Sequence, residues 1–148
     1  MVNRPAAVTL DVLLPDHPVL GKQRFPIYTG GPVGLDTLQF VHRAGAAIPG
    51  GIEIVSDLCL GGELDALAGY LAERGSEAEK GVRLIVGYSG WGAGQLEGEL
   101  ATGSWLPAAL DADWIFQSDP QATWRSVLRS LGSEAAGLED LPPDVTWN

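Results

Sequence analysis

The chain has 148 residues, with nine Lys and Arg against nineteen Asp and Glu, for a net charge of −10. That length suits one domain with a core of its own, and the single cysteine, Cys59, excludes an internal disulfide and a thiol-based zinc site. No run of about 18 apolar residues is present to span a membrane, and the opening Met-Val-Asn-Arg-Pro lacks the apolar stretch of a secretory signal.

In chain order, Thr9-Leu10-Asp11-Val12-Leu13-Leu14 predicts a short helix with Thr9 as its N-cap and Pro15 as its stop. Residues 15–26 carry Pro15, Pro18, Gly21 and Pro26 and read as a loop. Ile27-Tyr28-Thr29 predicts a short strand ended by Gly30-Gly31-Pro32. Leu38, Phe40 and His42 alternate with Gln39, Val41 and Arg43 at the strand period of two. After a turn at Pro49-Gly50-Gly51, Ile52, Ile54 and Val55 predict a strand that forms a hairpin with the one before it.

Residues 62–74 give the clearest helix, with Leu64, Leu67, Ala68 and Leu71 in one apolar stripe and Gly75 past its end. A polar loop over 75–81 leads to Val82-Arg83-Leu84-Ile85-Val86-Gly87-Tyr88, a short β-branched run that suits a central strand buried on both faces. Gly90-Trp91-Gly92-Ala93-Gly94 reads as a tight turn, and 95–102 as a helix with Leu96 and Leu100 inward. Trp114-Ile115-Phe116 reads as a strand. Asp119 caps a last helix with Pro120 at its first position, where the missing N–H costs nothing. Trp124, Val127, Leu128 and Leu131 form its inward stripe. The expected fold class is α/β in the mixed α+β sense: a mixed β-sheet packed with helices, one domain over 1–148 with an acidic tail over 133–148.

The charge argues against nucleic acid. Phosphate binders gather Lys and Arg on one face, whereas here the basic residues are scattered, and Arg125 with Arg129 reads as a solvated helix face. His17 and His42 have no metal-ligand spacing; His42, on a strand face with Leu38 and Phe40, reads as a hydrogen-bonded packing residue. Cys59, between Leu58 and Leu60, reads as an inert buried thiol.

The richest segment runs from Gly87 to Leu100: a buried strand passes through glycines into a helix. Such a turn lets backbone approach a ligand, and free N–H groups attract anions. Three catalytic or phosphate patterns fail there. The Gly-x-Ser-x-Gly elbow has its second glycine misplaced after Ser89, Gly-x-Gly-x-x-Gly meets Gln95, and no Lys completes a phosphate loop. The glycines therefore read first as close packing between strand and helix. Gln95 and Glu99 share a helix face and read as solvated. Trp91, in a glycine turn, is the residue that core packing does not explain. The candidate ligand or partner surface comprises Gly30, Gly31 and Pro32 with Tyr88, Trp91, Gly92, Gly94 and Gln95. No catalytic residue, metal or cofactor is expected.

Gly87-Tyr88-Ser89-Gly90-Trp91-Gly92-Ala93-Gly94-Gln95-Leu96-Glu97, followed by Ser104-Trp105-Leu106, resembles the signature of the YqgE/AlgH family of bacterial proteins. Asn3-Arg4-Pro5, Tyr28-Thr29-Gly30-Gly31-Pro32-Val33, Leu141-Pro142-Pro143-Asp144 and Asn148 fit as well. The resemblance implies a cytoplasmic protein with an unusual α/β fold and no established catalytic residue, metal or cofactor. One branch is named for regulating alginate production, and the family is sometimes described as transcriptional regulators. Relatives commonly carry Ala where this chain has Ser89, which weakens a nucleophile there. They also carry a further N-terminal segment of two strands before the Asn-Arg-Pro; its loss would expose unpaired backbone on a sheet, and self-association is the expected remedy. The resulting expectation is a non-enzymatic regulatory or binding protein working through protein contacts, as a homo-oligomer or with another protein. A small-ligand binder or enzyme using the 90–94 turn is the alternative, and direct DNA binding is the weakest reading.

Overall fold

A computed structural model describes residues 4–135 and Leu138. They gather into two compact units that divide after Gly90. The fold is mixed α and β, as expected.

The first unit is built on a sheet of six strands: β1 (Pro5–Thr9), β2 (Pro26–Thr29), β3 (Val33–His42), β4 (Ile52–Val55), β5 (Leu58–Leu60) and β6 (Val82–Tyr88). Their order is β1-β2-β6-β3-β5-β4. The apolar run of β6 does take the interior position. Its neighbour β2 is parallel, with Ile27 beside Leu84 and Thr29 beside Val86. Its other neighbour β3 is antiparallel, with Phe40 beside Leu84 and His42 beside Val82. Every residue of 82–87 is buried. Period two sends Val82, Leu84 and Val86 into one core with Leu10, Leu20, Phe25, Ile27 and Phe40.

α1 (Leu10–Leu13) follows β1 directly, and its first amides bond back to Phe25 and Gln23. α2 (Leu64–Arg74) presents Leu67, Ala68 and Leu71 to the same core, each Leu contributing about 1.5–3 kcal/mol by burial. On the alternate register, Arg83 is buried with its guanidinium 3.9 Å from the centre of the Tyr28 ring. Burial pushes its pKa down, opposed by the Tyr28 and Glu79 charges and a Tyr28 hydrogen bond.

Several expectations change. β4 is not the hairpin partner of β3. It pairs with β5, which intervenes and pairs with β3, Val41 beside Leu60. The two-residue turn Ser56-Asp57, with Asp57 at φ 67°, closes the β4–β5 hairpin. Neither β5 nor β1 is foreseen, because each is too short to show a period of its own. Thr9 does precede α1, but its hydroxyl donates to the Asp11 carboxylate rather than accepting from the helix backbone. α2 starts at Leu64, two residues late, and Leu64 is exposed. The 75–81 loop contains a 3-10 turn, Gly75–Lys80, that buries Ala78, and Leu20–Lys22 makes a similar turn inside the 15–26 loop. Cys59 is half-buried rather than buried.

The second unit holds α3 (Gln95–Ala101), α4 (Ala112–Phe116) and α5 (Pro120–Leu131). Residues 114–116 are thus helical, not extended. Asp111 accepts the Asp113 amide and starts a helical turn, a capping signal that outweighs three apolar residues of ambiguous period. Asp119 caps α5 as expected, accepting the Gln121 amide, with Pro120 in the first turn. Its stripe is only partly inward: Leu128 is buried, but Trp124 is exposed. Leu100 of α3 is exposed as well, so the inward face expected for that helix reduces to a half-buried Leu96.

The tightest glycine packing lies where the β2–β3 connection meets the end of β6, and not at the 90–94 turn. A Cβ on Gly31 would lie 2.3 Å from the Tyr88 carbonyl carbon, and one on Gly87 would lie 2.4 Å from the Gly31 oxygen. At Gly90 and Gly92 the nearest atoms would be 3.6 and 3.7 Å away, which is ordinary contact, and at Gly94 nothing lies within 4 Å. Gly87 and Gly94 both have positive φ, 70° and 75°. Gly87→Ala therefore combines left-handed strain with a backbone collision and costs about 3 kcal/mol or more, whereas Gly94→Ala costs about 1–2 kcal/mol from strain alone. Chemical denaturation of the two variants checks this; equal losses contradict it.

Candidate functional site

The residues singled out in the sequence fall into two separate constellations. Gly30, Gly31 and Tyr88 belong to the first unit, where the Gly30 amide donates to the Val86 carbonyl at 2.8 Å. Ser89 Oγ donates to the Gly30 carbonyl at 3.3 Å, so its hydroxyl ties the β2–β3 connection to the end of β6. Tyr88 is exposed and its ring packs over Gly34 and Gly90. Pro32 is exposed beside them. His42 is a packing residue, as read: fully buried, it donates through Nε2 to the Gly61 carbonyl at 2.9 Å and accepts the Ala44 amide at Nδ1.

Trp91, Gly92, Gly94 and Gln95 belong to the second unit and converge on a residue that the sequence reading placed in solvent, Glu99. Gly94, at φ 75°, lets the chain turn into α3. One helical turn separates Gln95 from Glu99, and Gln95 Nε2 donates to Glu99 Oε1 at 2.8 Å. The other end of Gln95, Oε1, accepts the Gly92 amide at 3.0 Å and holds the turn shut. Trp91 Nε1 donates to Glu99 Oε2 at 3.0 Å.

The helix ends at Ala101, and the chain folds back on it. The Ser104 amide and the Thr102 hydroxyl both bond to the Glu99 carbonyl, at 2.9 and 3.0 Å. That return brings in Trp105, whose Nε1 donates to Glu99 Oε2 at 2.6 Å. The two indoles meet edge to face, with centroids 5.8 Å apart and planes at 73°, a favoured aromatic geometry. Trp91 is nevertheless 39% exposed and Trp105 48% exposed.

The carboxylate therefore receives three neutral N–H donors. The Trp105 indole first, then the Gln95 amide and the Trp91 indole, hold the Glu99 pKa below the usual carboxylate range, against a smaller opposing effect of burial. A group so held remains ionised at neutral pH and is poorly suited to carry a proton. The turn is equally committed: its Gly92 amide is taken by Gln95, and the Gln95 amide by the Gly92 carbonyl at 3.0 Å, so these N–H groups do not point at an anion. Among the described residues, no group of three or more His, Cys, Asp or Glu is gathered for a metal ion, and no helix is long and apolar enough to cross a membrane.

The family model DUF179, AlgH-like, matches residues 1–136. The chain belongs to the AlgH-like family. A UPF0301 protein from Chlorobium limicola is 42% identical over 120 residues, covering 79% of this chain and 64% of that protein. A UPF0301 protein from Cytophaga hutchinsonii is 33% identical over all of this chain and 80% of its own length. The solution structure of the AlgH protein from Pseudomonas aeruginosa has the same fold, with a TM-score of 0.69 at 29% identity, over 95% of this chain and 75% of that one. This AlgH-like chain spans less than two thirds of the length of the Chlorobium limicola relative and of the next two, from Chlorobaculum tepidum and Bacteroides thetaiotaomicron. The resemblance carried by the 87–106 signature is borne out. Asn3, residues 141–144, Asn148 and all of the acidic tail beyond residue 135 except Leu138 lie outside the described residues.

Glu99 is the site residue that the sequence reading missed. Its i,i+4 relation to Gln95 was visible; its contact with Trp105 depends on the reversal after α3. Because its folded pKa is depressed, Glu99 contributes stability that is fully present above the ordinary carboxylate range and is lost as pH falls through the folded value. Trp105→Phe removes the largest of the three effects, so the Glu99 carboxyl of the variant titrates at higher pH than in the parent. Carbon-detected NMR titration reads this directly; an unchanged midpoint contradicts the hydrogen bond.

Proposed function

We propose that this AlgH-like chain is a cytoplasmic, non-enzymatic binding protein that works through protein contacts, with Trp91 and Trp105 as its anchors. The observation that supports the reading is an exposed pair of indoles fixed in place by one shared carboxylate. Tryptophan is the residue type most enriched among interface anchors, and a side chain already held in its bound geometry loses less entropy when a partner arrives. Leu106 and Leu110 are exposed in the same unit and add apolar area.

The chemistry of each unit, taken by itself, favours contact over turnover. Ser89 is engaged with a backbone carbonyl, Glu99 is held ionised, and His42 is enclosed with both ring nitrogens bonded. The net charge of −10 disfavours DNA as the partner, so a regulatory role in this reading passes through another protein. Self-association is a second form of the same proposal. The edge strand β4 has Ile52, Ile54 and Val55 all exposed, an open strand edge of the kind that pairs between copies.

A photo-crosslinking amino acid in place of Leu106, in the full chain expressed in bacteria, tests the reading. A discrete protein adduct is expected that disappears in Trp91→Ala and Trp105→Ala, and a mass of twice the chain identifies a second copy. Adducts that survive both substitutions, or no adduct, contradict an interface at this face.

A further inference from the structure

Among the described residues, the side-chain donors to the carboxylate between Trp91 and Trp105 are all neutral. Along the sequence, residues 84–124 carry no Lys, Arg or His, and α3 carries Glu97 beside Glu99. The three groups that stabilise the Glu99 carboxylate are all neutral donors, so they hold the charge in position without cancelling it. An ionised carboxylate offers about four lone-pair sites. Oε2 spends two on the indoles, and Oε1 spends one on Gln95. Among the described residues no further donor reaches Oε1, which leaves it one acceptor position beside two exposed aromatic surfaces.

We infer that this face receives an arginine side chain from the protein partner, its guanidinium lying against an indole and donating an N–H to Glu99 Oε1. The inference rests on the protein-contact reading above and names the chemistry of that contact. Three features select arginine. The Glu99 carboxylate attracts a cation, and the net charge of −10 repels an acidic partner. An indole is the best aromatic platform for a cation. A guanidinium is flat, so it stacks face-on while its edge donates in plane, whereas an ammonium is a compact, strongly hydrated charge without a face. A quaternary ammonium ion would use the indoles but has no N–H for the open acceptor. Glu99 is then a specificity residue: it orients the two indoles and supplies the charge that they surround.

The test uses the full chain and four fluorescein-labelled octapeptides on one Gly-Ser background, each with three copies of arginine, lysine, trimethyllysine or citrulline, titrated by anisotropy at low salt. The arginine peptide is expected to bind saturably and the neutral citrulline peptide not to bind. Lysine and trimethyllysine are expected to bind several-fold more weakly than arginine. Glu99→Gln and Trp105→Ala each weaken the arginine peptide about tenfold, the loss of one charge-assisted or cation–π contact. Two controls separate the site from bulk charge and from misfolding. Glu53→Gln, which removes an exposed charge on β4, leaves binding unchanged. Glu99→Gln and Trp105→Ala keep the circular dichroism spectrum of the parent, so their lost binding is not lost fold.

Equal weakening by Glu53→Gln and Glu99→Gln, equal binding of lysine and arginine peptides, or no saturable binding overturns the inference. If that happens while the Leu106 adduct still depends on both tryptophans, only the arginine assignment falls. If the adduct is also absent, the protein-contact reading falls with it.

Discussion

The path of the chain turns on a contact between two pieces of backbone. The connection leaving β2 presses Gly31 against the Tyr88 carbonyl, while Gly87 sits against the Gly31 oxygen. No side chain fits between them. The same place carries the junction of the only parallel strand pair in the described sheet, β2 beside β6, with the antiparallel pair β6 and β3. The two neighbours cover both edges of β6, and both of its faces are packed, Val82, Leu84 and Val86 in the core and Arg83 against Tyr28, so apart from Arg83 its run is apolar without alternation. Ser89 adds a side-chain tie at the same point. The glycines here serve packing, and the open ones further along, at 90, 92 and 94, serve the turn.

Beyond Gly90 the chemistry changes from packing to display. The second unit uses Glu99 and Gln95 to fix two large aromatic residues that remain exposed. One carboxylate takes both indole N–H groups, and a glutamine holds that carboxylate with one end and the glycine turn with the other. Such a network favours one arrangement over many. It is made of groups that are satisfied and ionised, not groups poised to exchange protons. A surface prepared in this way is suited to recognition, and in the proposed contact its carboxylate favours a cationic partner.

What the sequence makes legible follows from physical range. The interior strand, the buried stripe of α2 and the Asp119-Pro120 cap of α5 are all local patterns, and each is found where its pattern lies. The failures are those in which a distant partner decides. Ile52-Glu53-Ile54-Val55 is recognisably extended, but the two-residue turn at Ser56-Asp57 assigns it to β5 instead of β3. Trp114-Ile115-Phe116 has no resolvable period in three residues, and Asp111 tips it into a helix. Half of the candidate surface was visible as well: Trp91 stood out because no core stripe claimed it. Glu99 did not, since only the reversal at 102–105 reveals that a second indole returns to it.

The central claim is that Glu99 organises Trp91 and Trp105 into one fixed surface. Proton–nitrogen correlation NMR of the indole groups tests it most directly. With Glu99→Gln, the account requires the indole N–H signals of Trp91 and Trp105 to move together while those of Trp114 and Trp124 stay in place. Signals of Trp91 and Trp105 that ignore the substitution would show two independent, solvent-bonded rings and contradict the account.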